Sequence, residues 1–188
     1  FLPRAREKAN APFLWAKRGG EWKSVSWKEA ARQVAVFAES LKRIGLGPGD
    51  RVMLVSENRP EWLIADLGIM AAGCVTVPAY TTNTTRDHTH ILGNSGAKAV
   101  IVSTQKLARN LIPAVLFSSE CNHVIGIEDT RTGQAPGTVD FHHWNELVAA
   151  DSDVDALEKR MEPVGRKDLA CIIYTSGTGG APRGVMQH

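Results

Sequence analysis

The sequence predicts an α/β protein built on a mostly parallel sheet flanked by helices. Three observations predict this. Short β-branched runs, at 51–56 (RVMLVS), 75–80 and 99–102, alternate with segments of helical periodicity. The segments between them are long enough to be crossover helices, which parallel neighbours require. The strand runs are nearly all apolar, as strands covered on both faces are.

Each element follows from its own residues. Residues 12–17 and 21–25 alternate with period two around Gly19-Gly20, which predicts a hairpin. Ser26 and Glu29 have the spacing of a capping box. Behind them Trp27, Ala30, Ala31, Val34, Phe37, Ala38, Leu41 and Ile44 form a helical stripe, which Gly45 ends as a left-handed cap. After the strand at 51–56, Asn58 is expected to cap a second helix reaching about Ala72. That helix is apolar nearly all round, so it is expected to be buried. The strand at 75–80 leads to a helix capped by Thr84 and Asp87 and running to about Gly93. The strand at 99–102, a helix from Thr104 to about Phe117 and a strand at 123–127 come next. Residues 128–140 are rich in Gly, Pro, Thr and Asp and predict a loop or exposed hairpin. A short helix at 143–150 and a helical turn at 153–161 precede a buried strand at 169–174 (LACIIY).

Composition narrows the function. The 188 residues are 43% hydrophobic and 22% charged, as in a globular protein with its own core. A net charge of +2 with scattered Lys and Arg argues against a nucleic-acid partner. Cys74, Cys121 and Cys171 are expected to be buried free thiols in a reducing, cytoplasmic setting. No transmembrane segment is expected, because the apolar stretch at 62–77 is broken by Asp66, Gly68 and Gly73. The chain opens on Phe1 and closes on His188, and both ends are expected to be cut. No metal site is expected: His88 and His90 are two apart on a helix and are read as surface or capping residues. His142 and His143 lack zinc-ligand spacing. The five tryptophans are read as core or edge packing.

The informative segment runs from Tyr174 through Thr175, Ser176, Gly177, Thr178, Gly179, Gly180, Ala181, Pro182, Arg183 and Gly184 to Val185. Its glycines permit positive φ and close approach to a ligand. Successive amides in such a turn can form an anion-binding nest. Thr175, Ser176 and Thr178 add hydroxyl donors, and Arg183 adds a planar, permanently charged fork. A buried strand feeding the loop and an Arg closing it set it apart from a flexible linker. It is neither a Walker A loop nor a dinucleotide fingerprint, since both spacings are missing. The segment is read as a polyphosphate loop at 174–185.

This segment closely resembles the phosphate loop of adenylate-forming enzymes, Tyr-Thr-Ser-Gly-Ser/Thr-Thr-Gly-x-Pro-Lys-Gly-Val. Gly179 stands for the usual Thr and Arg183 for the usual Lys. Upstream, Gly49-Asp50-Arg51-Val52, Asn58-Arg59-Pro60-Glu61-Trp62, 72–80 and Ser95-Gly96-Ala97-Lys98 are similar to long-chain fatty acyl-CoA synthetases. The resemblance implies the N-terminal subdomain of an acyl-CoA synthetase-like fold, with 1–188 a truncated part of the AMP-binding domain and 1–25 a hairpin extension. It implies an ATP-dependent fatty acid–CoA ligase that uses Mg²⁺, with coenzyme A as co-substrate. Thr175, Ser176, Gly177, Thr178, Gly179, Gly180 and Arg183 would hold the ATP phosphates, and His188 is a candidate for a place near the nucleotide. Catalytic residues are expected beyond His188, so the chain alone is expected to be inactive. An exposed apolar face is expected to promote self-association, and a peripheral position at a membrane is left open. The alternatives are a ligase that loads a carrier protein or an amino acid, and a non-catalytic nucleotide-binding module.

Overall fold

A computed structural model of the chain describes residues 1–130, 139–150, 154–161, 165–175 and 181–188. Nine strands and seven helices are seen among them. Helix α1 (Leu2–Lys8) precedes the hairpin of β1 (Pro12–Arg18) and β2 (Glu21–Ser26). Gly19 and Gly20 take φ of 60° and 88°, the left-handed pair that a two-residue hairpin turn needs. Helix α2 (Trp27–Arg43), β3 (Arg51–Val55), α3 (Pro60–Ala71), β4 (Val75–Ala79), α4 (Thr85–Ser95), β5 (Ala99–Val102), α5 (Gln105–Leu116) and β6 (His123–Gly126) alternate as expected. Then come β7 (Asp140–His143), α6 (Trp144–Leu147), α7 (Val154–Met161), β8 (Cys171–Thr175) and β9 (Arg183–Gln187).

Seven strands form one sheet in the order β7-β6-β5-β3-β4-β8-β9. Every neighbouring pair is parallel except β8 and β9. Period-two alternation sorts the central strands between two cores. Val52 and Leu54 of β3 face a cluster with α2, α3 and α6, whereas Met53 and Val55 face one with α4 and α5. Helices α2 and α3 touch where Gly68 meets Phe37; a Cβ on Gly68 would come within 2.7 Å of Phe37 Cδ1.

Helix ends follow local chemistry. Gly45 (φ 94°) and Gly73 (φ 78°) end α2 and α3. In each case the next amide reaches back five residues, Leu46 N–H to Leu41 O and Cys74 N–H to Ile69 O. These are Schellman caps. Thr84 and Asp87 form a reciprocal capping box. At α2 only half the expected box forms: Ser26 Oγ accepts from Glu29 N–H, but the Glu29 carboxylate turns forward to Arg32 and Gln33. Asn58 does not cap α3. Arg59 takes that place with an extended backbone, because Pro60 disfavours a helical residue before it.

Other expectations need correcting. His142 and His143 lie in an edge strand, β7, paired in parallel with β6, and the following helix is one turn. The final buried strand is not final: β9 returns antiparallel beside β8, and Ile173, Val185 and Met186 are exposed. Trp15 and Trp22 lie in solvent, not in core or edge packing, whereas Trp144 is buried. Cys74 and Cys121 are buried free thiols, but Cys171 is only partly covered. No described helix is long and apolar enough to cross a membrane.

His88 is buried rather than superficial. It shares the inner face of α4 with Ile91 and Leu92, and its Nδ1 has no hydrogen-bond partner. Burial lowers its pKa from 6.5 to about 4. Above pH 6.5 the ring is neutral whether the chain is folded or not. Below it the unfolded chain gains a proton that the folded state refuses, so stability falls as the pH drops towards 4. Urea titrations at pH 7 and pH 4 are expected to show a loss of up to about 3 kcal/mol from this group. His88→Leu is expected to flatten that part of the profile; an unchanged profile would contradict it.

Candidate functional site

Strand β8 ends at Thr175 and β9 begins at Arg183 at the carboxyl edge of the parallel strands, where ligands of open α/β sheets bind. Of the predicted phosphate ligands, Ser176, Gly177, Thr178, Gly179 and Gly180 lie outside the described residues. Thr175 and Arg183 are described. They face each other as the last register pair of the hairpin, both exposed, and form the two roots of the loop. Arg183 has no carboxylate partner among the described residues. A free guanidinium beside a hydroxyl at a glycine-rich turn suits an anion.

Both roots are tied to α4. Tyr174 is buried, and its hydroxyl donates to Asn94 Oδ1 at 2.6 Å. Burial pushes the Tyr174 phenol pKa up, so the ring stays neutral and the donor is kept. On the other side, His90 Nε2 lies 2.8 Å from the Pro182 carbonyl, which fixes Nε2 as the protonated nitrogen. The His90 and Tyr174 rings meet edge to face at 6.2 Å. His90, read from sequence as superficial, thus touches the loop. Its spacing from Asn94 was the available signal: residues four apart share a helix face.

Gly184 serves differently from the sequence expectation of positive φ. It is not among the glycines with positive φ. A Cβ there would meet Ile172 Cγ2 at 2.8 Å and Tyr174 Cζ at 3.2 Å. The glycine lets the Tyr174 ring lie across β9.

His188 is not brought to the loop. The antiparallel course of β9 carries it five residues, about 17 Å, from Arg183. There it lines a groove of about 750 Å³ with Lys42, Gly73, Cys74 and Lys167, at the opposite edge of the sheet.

A second group of charges surrounds the carboxyl ends of β3 and β6. Arg59 bonds both Glu61 and Glu128, and Arg18 of the hairpin bonds Glu61 at 2.7 Å. Burial alone would raise the Glu61 pKa, but the two arginines prevail and hold it below the usual carboxylate range. Every carboxylate in this cluster is matched, so it ties the hairpin to α3 and offers no open site.

A mostly parallel sheet flanked by helices places the chain in the α/β class. The chain belongs to the AMP-binding enzyme family, which matches it over residues 1–188. It is 34% identical over 167 residues to the long-chain-fatty-acid–CoA ligase FadD15 of Mycobacterium tuberculosis, covering 88% of this chain and 26% of that protein. The long-chain-fatty-acid–CoA ligase ACSBG2 of Xenopus laevis is 28% identical over 175 residues, covering 92% and 23%. Among solved structures, a benzoate CoA ligase from Burkholderia xenovorans superposes with a TM-score of 0.76 at 25% identity, covering 98% of this chain and 32% of that one. Acetoacetyl-CoA synthetase from Streptomyces lividans shares the fold with a TM-score of 0.82, covering 98% and 29%. The chain spans about a quarter of the length of these curated relatives.

Proposed function

We propose that this chain supplies the triphosphate-binding loop of an ATP-dependent fatty acid–CoA ligase. The observation that carries the reading is the pairing of Thr175 with Arg183, which has no carboxylate partner among the described residues, at the carboxyl edge of the sheet on either side of a glycine-rich segment. Thr175, Ser176 and Thr178 would donate hydroxyls, and the amides of Gly177, Gly179 and Gly180 would complete a nest for the β- and γ-phosphates. Arg183 would neutralise charge on the departing pyrophosphate. In the first half-reaction a fatty carboxylate oxygen bonds to the α-phosphorus and pyrophosphate leaves with the broken P–O electrons. In the second, the thiol of coenzyme A attacks the acyl carbon and AMP departs. The names of the curated relatives support fatty acids as the acid and coenzyme A as the acceptor.

Magnesium finds no group of three His, Cys, Asp or Glu side chains among the described residues. No step is therefore assigned to it on this chain, and none of these residues is proposed as catalytic. His188 is proposed as outside the phosphate site.

The test is pyrophosphate release from ATP with a panel of fatty, aromatic and amino acids. The whole natural protein is expected to release pyrophosphate with fatty acids and to form thioester only when coenzyme A is present. The 188-residue chain alone is expected to release none. Preference for amino acids would move the assignment to another adenylating ligase, and no release with any acid would favour a binding module.

A further inference from the structure

We propose that the β1–β2 hairpin is an interfacial docking surface for an anionic lipid bilayer. The proposal does not depend on the ligase reading. The hairpin has two unlike faces. Leu14 packs on the core and Arg18 bonds Glu61 of α3, so that face is turned inward. Trp15 and Lys17 alternate with them and point the other way. Lys17 pairs with Trp22 across the hairpin, which makes Trp15 and Trp22 diagonal neighbours around it. Trp15 is 55% exposed and Trp22 67% exposed. Large indoles in water are costly unless something covers them, and indole beside lysine is the chemistry of the membrane–water boundary.

Charge selects the occupant. Residues 1–28 hold seven basic and two acidic side chains, a net +5, while the whole chain is only +2. Arg4, Arg6 and Arg18 are matched by Glu7, Asp155 and Glu61. Lys8, Lys17, Lys23 and Lys28 have no carboxylate partner among the described residues. Lys8 lies 5.8 Å over the Trp27 ring, which meets Phe13 at a tilt, 3.8 Å between ring centroids, at the foot of the hairpin. Lys17 lies between the two exposed indoles, Lys23 is exposed on the other face of the hairpin, and the net positive charge of this segment repels a second copy of the same surface and attracts an anionic one. Each lysine near such a surface strengthens binding by roughly fivefold, and buried indole area adds to that. The rigid hairpin would seat its indoles at headgroup depth without insertion of a helix.

The experiment is flotation of the 188-residue chain with phosphatidylcholine vesicles, with and without phosphatidylglycerol, at low and high salt. Binding is expected only with phosphatidylglycerol and is expected to fall at high salt. Trp15→Ser with Trp22→Ser is expected to weaken it by roughly tenfold or more, and Lys17→Glu by about tenfold. Brominated lipids are expected to quench the fluorescence of the unmodified chain, a readout that needs no variant to fold. No flotation with anionic vesicles at low salt overturns the proposal, as does a double variant that binds unchanged. A tryptophan-dependent dimer in sedimentation that binds no vesicle also overturns it, and assigns the face to a second copy.

Discussion

Replacing Arg183 with alanine is expected to lower kcat/KM for ATP by about 10²-fold in the whole natural protein, the usual cost of deleting one preorganised donor to developing charge. Arg183 is exposed and bonds no described carboxylate, so its loss should leave the fold intact. The effect should therefore fall on ATP, with KM for the fatty acid little changed. Arg183→Lys keeps the charge at the position where the resembled loop carries Lys. It should recover most of the activity but lose the forked geometry. Steady-state kinetics with varied ATP checks both. A loss of activity matched by an equal loss of folded protein would place Arg183 in the scaffold instead.

Phe37→Ala is expected to destabilise the chain by about 3–5 kcal/mol, a large share of the total for a domain of this size. Phe37 is fully buried between α2 and α3, 4.6 Å from the Trp144 ring centroid. Gly68 permits that contact, and the helix backbone beneath it cannot collapse into the cavity. Phe37→Leu should cost much less. Urea unfolding followed by circular dichroism decides it; a loss below about 1 kcal/mol for the alanine variant would mean the helices slide together.

The two cores were legible because alternation in β3 and the α2 stripe are strong periodic signals of buried elements. The edges were not. Strands β7 and β9 lie at the two margins of the sheet, where one face or one ladder is open and the apolar pattern fades. Helix α1 is seven residues long and begins with Leu2-Pro3, too short for a periodic stripe. His88 was misplaced because a lone polar residue on a half-polar helix gives no hint of which face is buried. The hairpin tryptophans were misread for the opposite reason, since residue type alone favours burial. At the site, composition and spacing singled out the segment at 174–185, whose phosphate-binding role is the one proposed above. The anchors His90 and Asn94 were not singled out, because their contacts to Pro182 and Tyr174 cross about eighty to ninety residues of sequence.

The most direct measurement is a backbone-amide NMR titration of the 188-residue chain with tripolyphosphate, which carries the anionic tail of ATP without its base. Saturable shifts confined to residues 175–183, lost in Arg183→Ala, are the predicted result. Shifts that ignore this loop, or none at concentrations where other anions leave the spectrum unchanged, would contradict the claim that the β8–β9 turn holds the phosphates.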